Sequence, residues 1–205
     1  MYNIPHFKAS NHQQVIDFMH ANPFVTICGV DANGLPVATH IPVLIRLDND
    51  IITISGHIMR NQDHTSAFEL NKNVLVIFSA PSAFVSASWY TNQGQASTWN
   101  YQTVHAIGQL EMQDEQHLYD LLVALTQKFE TDPEAPSQVK NLDPIYMHQK
   151  MKAIVSFEIV IDQLKHVFKL SQNRDEASHT NIQNELIKGD AACKYMAAAM
   201  KQNLD

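Results

Sequence analysis

The sequence is short of arginine, cysteine and positive charge. Arg46, Arg60 and Arg174 are its three guanidinium groups, and its formal net charge is −7. That balance argues against a broad electrostatic footprint on DNA or on an anionic membrane. Any anion site must draw on few cations, and Arg60 and Arg174 both lie in polar, turn-like sequence. Two cysteines, Cys28 and Cys193, make no disulfide framework in 205 residues, and a reduced, cytoplasmic setting is the simplest expectation. Neither lies in an electropositive stretch, and there is no G-x-S-x-G elbow, so nucleophilic catalysis is not expected. The absence of G-x-G-x-x-G and of a P-loop excludes a Rossmann or Walker nucleotide site. His40, His57, His64 and His105 lack paired ligand spacing, so no metal is expected. No basic stretch followed by an apolar core opens the sequence and no apolar run is long enough to span a bilayer, so neither a signal peptide nor a membrane span is expected. What the chain does have is a 45% hydrophobic composition, enough for a substantial core in one domain with a helical extension over 175–205.

Taken in order, Asn11 is a plausible cap for a helix with Val15, Ile16 and Met19 on one face, ending near Pro23. Phe24–Val30 and Pro36–Leu47 read as a hairpin about Asp31-Ala32-Asn33-Gly34, with Asn33-Gly34 suited to positive φ. Ile51–Gly56 is a third strand, giving a meander and hence an antiparallel sheet or barrel. A short helix ends at Leu70. The apolar run in Asn73–Ala80 predicts a strand buried on both faces, and Ala83–Tyr90 a further strand. An amphipathic helix starts at Asp114 or Glu115, a second covers Ile145–Met151, and Ala153–Asp162 is a strand. Residues 163–175 read as irregular. Two helices follow, Ala177–Lys188 and Ala191–Gln202; the last has few side chains able to read a base edge, so its Ala/Met face is expected to pack on protein.

The stretch Thr98-Trp99-Asn100-Tyr101-Gln102-Thr103-Val104-His105-Ala106-Ile107-Gly108 is a strand of unusual chemistry. Tyr101, Thr103, His105 and Ile107 fall on one face, and Asn100, Gln102, Val104 and Ala106 on the other. Aromatic planes beside carboxamides suit a flat heteroaromatic ligand; barrel groups satisfying one another are the alternative. Gly56-His57-Ile58-Met59-Arg60 places a cation past a strand end and beside a helix start, a setting that favours phosphate. Lys169-Leu170-Ser171-Gln172-Asn173-Arg174 offers two cations and three hydrogen-bonding side chains, either for a ligand or with Ser171 or Asn173 capping the next helix. Thr39-His40 interrupts an apolar strand, where a backbone-bonded core histidine is the commoner explanation.

Together, Thr39-His40-Ile41-Pro42, Gly56-His57, Ser88-Trp89-Tyr90, Thr98-Trp99-Asn100-Tyr101, Val104-His105-Ala106-Ile107-Gly108, Ala153-Ile154-Val155 with Phe157-Glu158-Ile159, and Lys169 to Arg174 resemble, in this order, the PaiB-like FMN-binding negative transcriptional regulators. The resemblance covers nearly the whole chain. It implies a bacterial source, a mainly β fold with helices (α+β), and an FMN-binding split β-barrel. This is the Greek-key, pyridoxamine-phosphate-oxidase-like type, with peripheral and C-terminal helices. It also implies a homodimer with FMN at the subunit interface, and regulation in which direct DNA contact is left open. Matched by motif, Thr39, His40, His57, Arg60, Trp99, Asn100, His105, Lys169, Ser171 and Gln172 are the expected cofactor-binding residues, with His57 and Arg60 on the phosphate side. A flavin oxidoreductase or a haem-binding split barrel is the alternative. Proline, frequent in the family before and after the loop that precedes Thr98, is replaced here by Thr91 and Ser97, which predicts a looser loop.

Overall fold

Side-chain caps and two tight turns fix the early elements. Helix α1 (His12–Ala21) starts at Asn11, whose side chain accepts from the Gln14 backbone N–H, and buries Val15, Ile16 and Met19. Strands β1 (Phe24–Val30) and β2 (Pro36–Pro42) form the expected hairpin. Its turn differs from the prediction: Gly34 alone takes positive φ, +81°. Asp31 closes the turn instead, its Oδ1 accepting from the N–H groups of Asn33 and Leu35 at 2.8 Å each. The return strand breaks at Val43, which is buried and donates its N–H to Pro23 at 2.9 Å. Beyond it β3 (Leu44–Asp48) pairs with β4 (Ile51–Met59), antiparallel. The three strands predicted are therefore four, and they form two hairpins rather than a meander. These occupy opposite ends of the eight-stranded sheet, whose path is β2-β1-β5-β7-β8-β4-β3 with β6 beside β7.

The structure, a computed structural model, describes residues 1–202. It resolves into two compact units, each assembled from separate segments. The second unit comprises Pro23–Ile77 and Ala106–Leu164. Its core includes Val25, Ile27, Ile54, Val76, Phe157 and Ile159. Gly56 on β4 lets β2 come close: a Cβ there would sit 2.9 Å from Ile41 Cδ1 and 2.8 Å from the Phe157 ring. The strand β5 (Asn73–Ser79) buries Val74, Val76 and Phe78 but leaves Leu75 and Ile77 half-buried, so burial on both faces is incomplete. Helix α2 (Asp63–Leu70) follows β4. Helix α3 (Glu115–Phe129) is capped by Asp114 and turns Leu118, Leu121 and Leu125 inward; α4 (Pro144–Met151) is capped by Asp143.

The first unit comprises Met1–Asn22, Phe78–His105 and the chain from Lys165 onward. Of the strand expected over Ala83–Tyr90, β6 (Ala83–Val85) alone forms, because Ala87–Trp89 coils into one 3-10 turn capped by Ser86. β6 pairs with the start of β7 (Thr98–Met112), Ala83 opposite Asn100. The strand β8 (Ile154–Lys169) runs seven residues beyond the predicted end at Asp162. Val167 and Phe168 are fully buried, and Phe168 packs on Phe18 with ring centroids 5.0 Å apart. Helix α5 (Glu176–Leu186) is capped by Asp175, not by Ser171 or Asn173. Helix α6 (Ala191–Gln202) buries Met196, Ala197, Ala199 and Met200, the protein-packing face expected of it. The segment expected as an extension from 175 thus contributes to the core of this unit. No helix of the described residues is long and apolar enough to cross a membrane.

Candidate functional site

In the second unit the phosphate-side residues divide between an interior strand position and an open turn. His57, expected past the strand end, lies within β4 opposite Ser156 of β8. Its Nδ1 is buried without a partner, and burial holds its pKa below the ordinary histidine value. Arg60 stands just past β4, as the sequence predicts. Its N–H donates to the Ala153 carbonyl at 2.8 Å, while its exposed guanidinium has no hydrogen bond or ion pair among the described residues. The next residue, Asn61, is left-handed at φ +59°. Thr65 Oγ1 donates to the Met59 carbonyl at 2.6 Å and fixes where α2 begins. The N-cap Gln62 supplies no side-chain cap, so the N-terminal end of α2 and a free guanidinium occur within one turn. That combination fits a phosphate. Asp63 opposes it, though its Oδ1 also accepts from the His64 backbone N–H at 2.7 Å. Thr39 is half-buried on β2, and His40 is exposed there, opposite Thr26. The core-histidine explanation for His40 therefore fails: β2 ends the sheet path, so one of its flanks faces no ladder. No hydrogen bond or ion pair among the described residues joins Thr39 or His40 to His57 or Arg60.

A polar line that sequence reasoning missed runs under α3. His117 Nδ1 lies 3.0 Å from Ser156 Oγ, and its Nε2 lies 3.5 Å from Glu158 Oε1. Glu158 also accepts from Ser55 Oγ at 3.4 Å and faces Arg46 at 3.8 Å. A serine, a histidine and a carboxylate in line resemble a hydrolytic triad, but Ser156 is fully buried, so no substrate reaches its hydroxyl. The line pins α3 to the sheet. Ser156 and Glu158 are two residues apart on one strand, but His117 comes from a helix 39 residues before Ser156, so no local spacing signals the line.

In the first unit, β7 and the loop after β8 hold the rest. The predicted two-faced character of β7 is present: Asn100, Gln102, Val104 and Ala106 are buried, and Tyr101, Thr103, His105 and Ile107 are half-buried. Asn100 spends its side chain internally, accepting from Ser171 Oγ at 3.0 Å and donating to Met200 Sδ at 3.4 Å. Ser171 is left-handed at φ +64°, a strained state for a residue with a Cβ. Gln172 folds back on its own loop, accepting from the Leu170 N–H at 2.7 Å and donating to the Phe168 carbonyl. These three residues set the loop's shape. Lys169 donates to Thr98 Oγ1; its pKa is lowered by burial first and by the nearby Arg174 charge second. Arg174 stacks on Tyr90, 4.1 Å from the ring centroid, and donates to Gln95. Trp99 is 54% exposed and meets Phe84 edge-on at 5.9 Å. The pKa of His105 is lowered by burial, then by the N-terminal ammonium and Lys165. The loop expected to be loose is tied at both ends: Thr91 donates to Asp175 and through its N–H to Ser178 Oγ at 2.9 Å, and Ser97 Oγ accepts from the Ala87 N–H at 3.0 Å.

The antiparallel eight-stranded sheet and its helices bear out the split β-barrel that the resemblance implies. Residues 1–163 match the family described as "Putative FMN-binding domain", and the chain belongs to that family, whose cofactor is FMN. It is a PaiB-like member, similar to the "Protease synthase and sporulation protein PAI 2" of Bacillus subtilis strain 168. The two are 32% identical over 205 residues, spanning 100% of this chain and 98% of that protein. Among solved structures, the flavocytochrome Anf3 from Azotobacter vinelandii superposes with a TM-score of 0.58 at 15% identity, over 88% of this chain and 78% of that one. The FAD and heme binding protein from Mycobacterium smegmatis gives 0.57 at 18%, over 78% and 72%. These structural likenesses bear on the fold.

Proposed function

We propose that this chain binds FMN as a homodimer, with the flavin held where two subunits meet, and acts as a regulator rather than as an enzyme. The observation that carries this reading is the unpartnered Arg60 guanidinium beside the uncapped N-terminus of α2. Arg60 takes the phosphate, with His57, Thr39 and His40 contributed by the same unit. Trp99, His105 and Lys169 take the ring, and Asn100, Ser171 and Gln172 hold the loop that presents Lys169. When bound, FMN supplies redox chemistry; no residue described above supplies a convincing acid or base for a substrate. The exposed Phe84–Trp99 pair supports a dimer, since a second subunit would cover it.

Flavin fluorescence quenching tests this directly. Wild-type protein should quench FMN saturably, with affinity that weakens on dilution as the dimer parts. Arg60→Ala removes hydrogen bonds to a charged group, each contributing about 1.5–3 kcal/mol, so affinity should fall roughly ten- to hundredfold. Equal affinity in Arg60→Ala would remove this residue from the site, and no quenching at all would remove the cofactor.

The regulatory role is assigned to protein contacts rather than base readout. The chain's net charge is −7, and α6 buries its Ala/Met face in its own unit. A mobility-shift titration with promoter DNA should show no complex beyond that with unrelated DNA at equal salt. A sequence-specific shift would reverse the assignment.

A further inference from the structure

Ser88-Trp89-Tyr90 is assigned no contact with the flavin, yet in the first unit it forms one wall of a recess of about 350 Å³ against α5. The opposite wall carries Asn181 and Asn184, three residues apart and hence on one face of that helix. Both carboxamides are exposed, and neither makes a hydrogen bond among the described residues. Trp89 is half-buried, and its indole N–H is likewise unpartnered. Tyr90 is 2% exposed with its hydroxyl buried and without a partner. That hydroxyl is enclosed and does not open on the recess; the groups short of partners that line it are the two carboxamides and the Trp89 indole N–H.

The charge at the rim narrows the ligand class. Among the residues that line the recess the cation is Lys188, and it is paired with Glu185 at 2.6 Å, so the lining leaves none free for a phosphate. What remains is an indole face with neutral donors and acceptors around it. An asparagine carboxamide matches the adjacent donor and acceptor on a purine edge, and stacking of a base on an aromatic side chain contributes about 1–3 kcal/mol. The volume lies within the range of small-molecule sites, which starts at about 300 Å³.

We propose that this recess is a second ligand site, distinct from the flavin residues, for an uncharged heteroaromatic ring with a donor–acceptor edge, of the purine-nucleoside class. Trp89 stacks on the ring and Asn181 and Asn184 read its edge. The proposal does not depend on the flavin reading, because it uses none of those residues.

Saturation-transfer NMR with isothermal titration, on the full chain with and without saturating FMN, is the test. Adenosine should bind saturably, with FMN making no difference. AMP should bind no more than about twofold tighter. Asn181→Ala and Asn184→Ala should each weaken adenosine roughly two- to tenfold, the worth of one neutral hydrogen bond. Both positions are exposed and helical, where alanine is favourable, so the variants should fold; a thermal melt equal to wild type confirms it. The site assignment is overturned by absence of saturable adenosine binding, or by an Asn181→Ala/Asn184→Ala double variant that folds and binds as wild type does. AMP binding about tenfold or more tighter than adenosine overturns the neutral-ligand class. Displacement of adenosine by FMN overturns its independence from the flavin.

Discussion

Gly108→Ala is expected to lower the midpoint of thermal unfolding by roughly 6–12 °C. A Cβ built at Gly108 lies 2.1 Å from the carbonyl oxygen of Val160 and 2.9 Å from its carbonyl carbon. Close Cα–H···O contacts between adjacent strands sit at about 3.3–3.6 Å, so the overlap exceeds an ångström. The obstacle is backbone, which cannot rotate aside as a side-chain end can. Relief requires β7 and β8 to separate where they neighbour each other in the sheet, and Leu110, Phe157 and Ile159 are buried around that point. Overpacking of this kind costs about 1–3 kcal/mol and sometimes more, and a rigid obstacle puts the cost at the top of that range. For a chain of this size each kcal/mol shifts the midpoint by about 2–4 °C. Gly94→Ala provides the contrast. Gly94 has φ +82° and nothing within 4 Å of its added Cβ, so only the left-handed conformation opposes the change, at about 1–2 kcal/mol. Differential scanning fluorimetry of both variants separates the two causes. Gly108→Ala melting as high as Gly94→Ala would show that β7 and β8 yield easily, against the rigid packing inferred from the burial of Phe157.

Gly108 also shows what the sequence makes legible. The alternation along β7 is local, a period of two over eleven residues, and its two faces come out as the residue order dictates. The caps at Asn11 and Asp114 are local too. The order of strands is not. Pro42 is the one breaker in the short stretch Pro42-Val43-Leu44, and it does not announce that the chain leaves one end of the sheet path for the other; that depends on the burial of Val43 and its bond to Pro23. The continuation of β8 was hidden in a similar way. Asp162, Gln163 and Lys165 are polar and exposed, and they interrupt the apolar pattern before Val167 and Phe168 resume it. In the candidate site the residue types were legible and their roles less so. Asn100 and Gln172 read as groups for a ligand, but one is committed to Ser171 and Met200 and the other to its own loop. Arg60 is the reverse case: the sequence placed it after a strand, and the structure leaves its guanidinium free.

Acidification should destabilise the ligand-free protein well before its carboxylates titrate. His57, His105, His166 and His179 all have pKa values below the ordinary histidine value, and burial is the largest cause in each. Positive neighbours add to this at His105 (the N-terminus and Lys165) and at His166 (Lys8 and His12), whereas a hydrogen bond that His179 donates to the Leu170 carbonyl partly offsets it there. A depressed histidine pKa means that the folded state binds protons less readily than the unfolded chain, whose histidines titrate near about 6.5. Stability therefore rises with pH across that interval. It is fully present above about pH 6.5 and is lost as pH falls through the folded values. Asp31, Asp175 and Asp190 act in the same sense lower down, because the hydrogen bonds they accept hold their carboxyls below the usual range, so their contribution is lost only below about pH 4. Melting points measured between about pH 8 and about pH 5 should be flat at first and then decline with increasing slope. His57→Gln, which removes the titrating group whose Nδ1 is buried without a partner, should make that decline shallower. A melting point constant down to about pH 5 would mean that these imidazoles gain protons in the fold as easily as in the unfolded chain. Their burial, and with it the dry setting of His57 inside β4, would then be refuted.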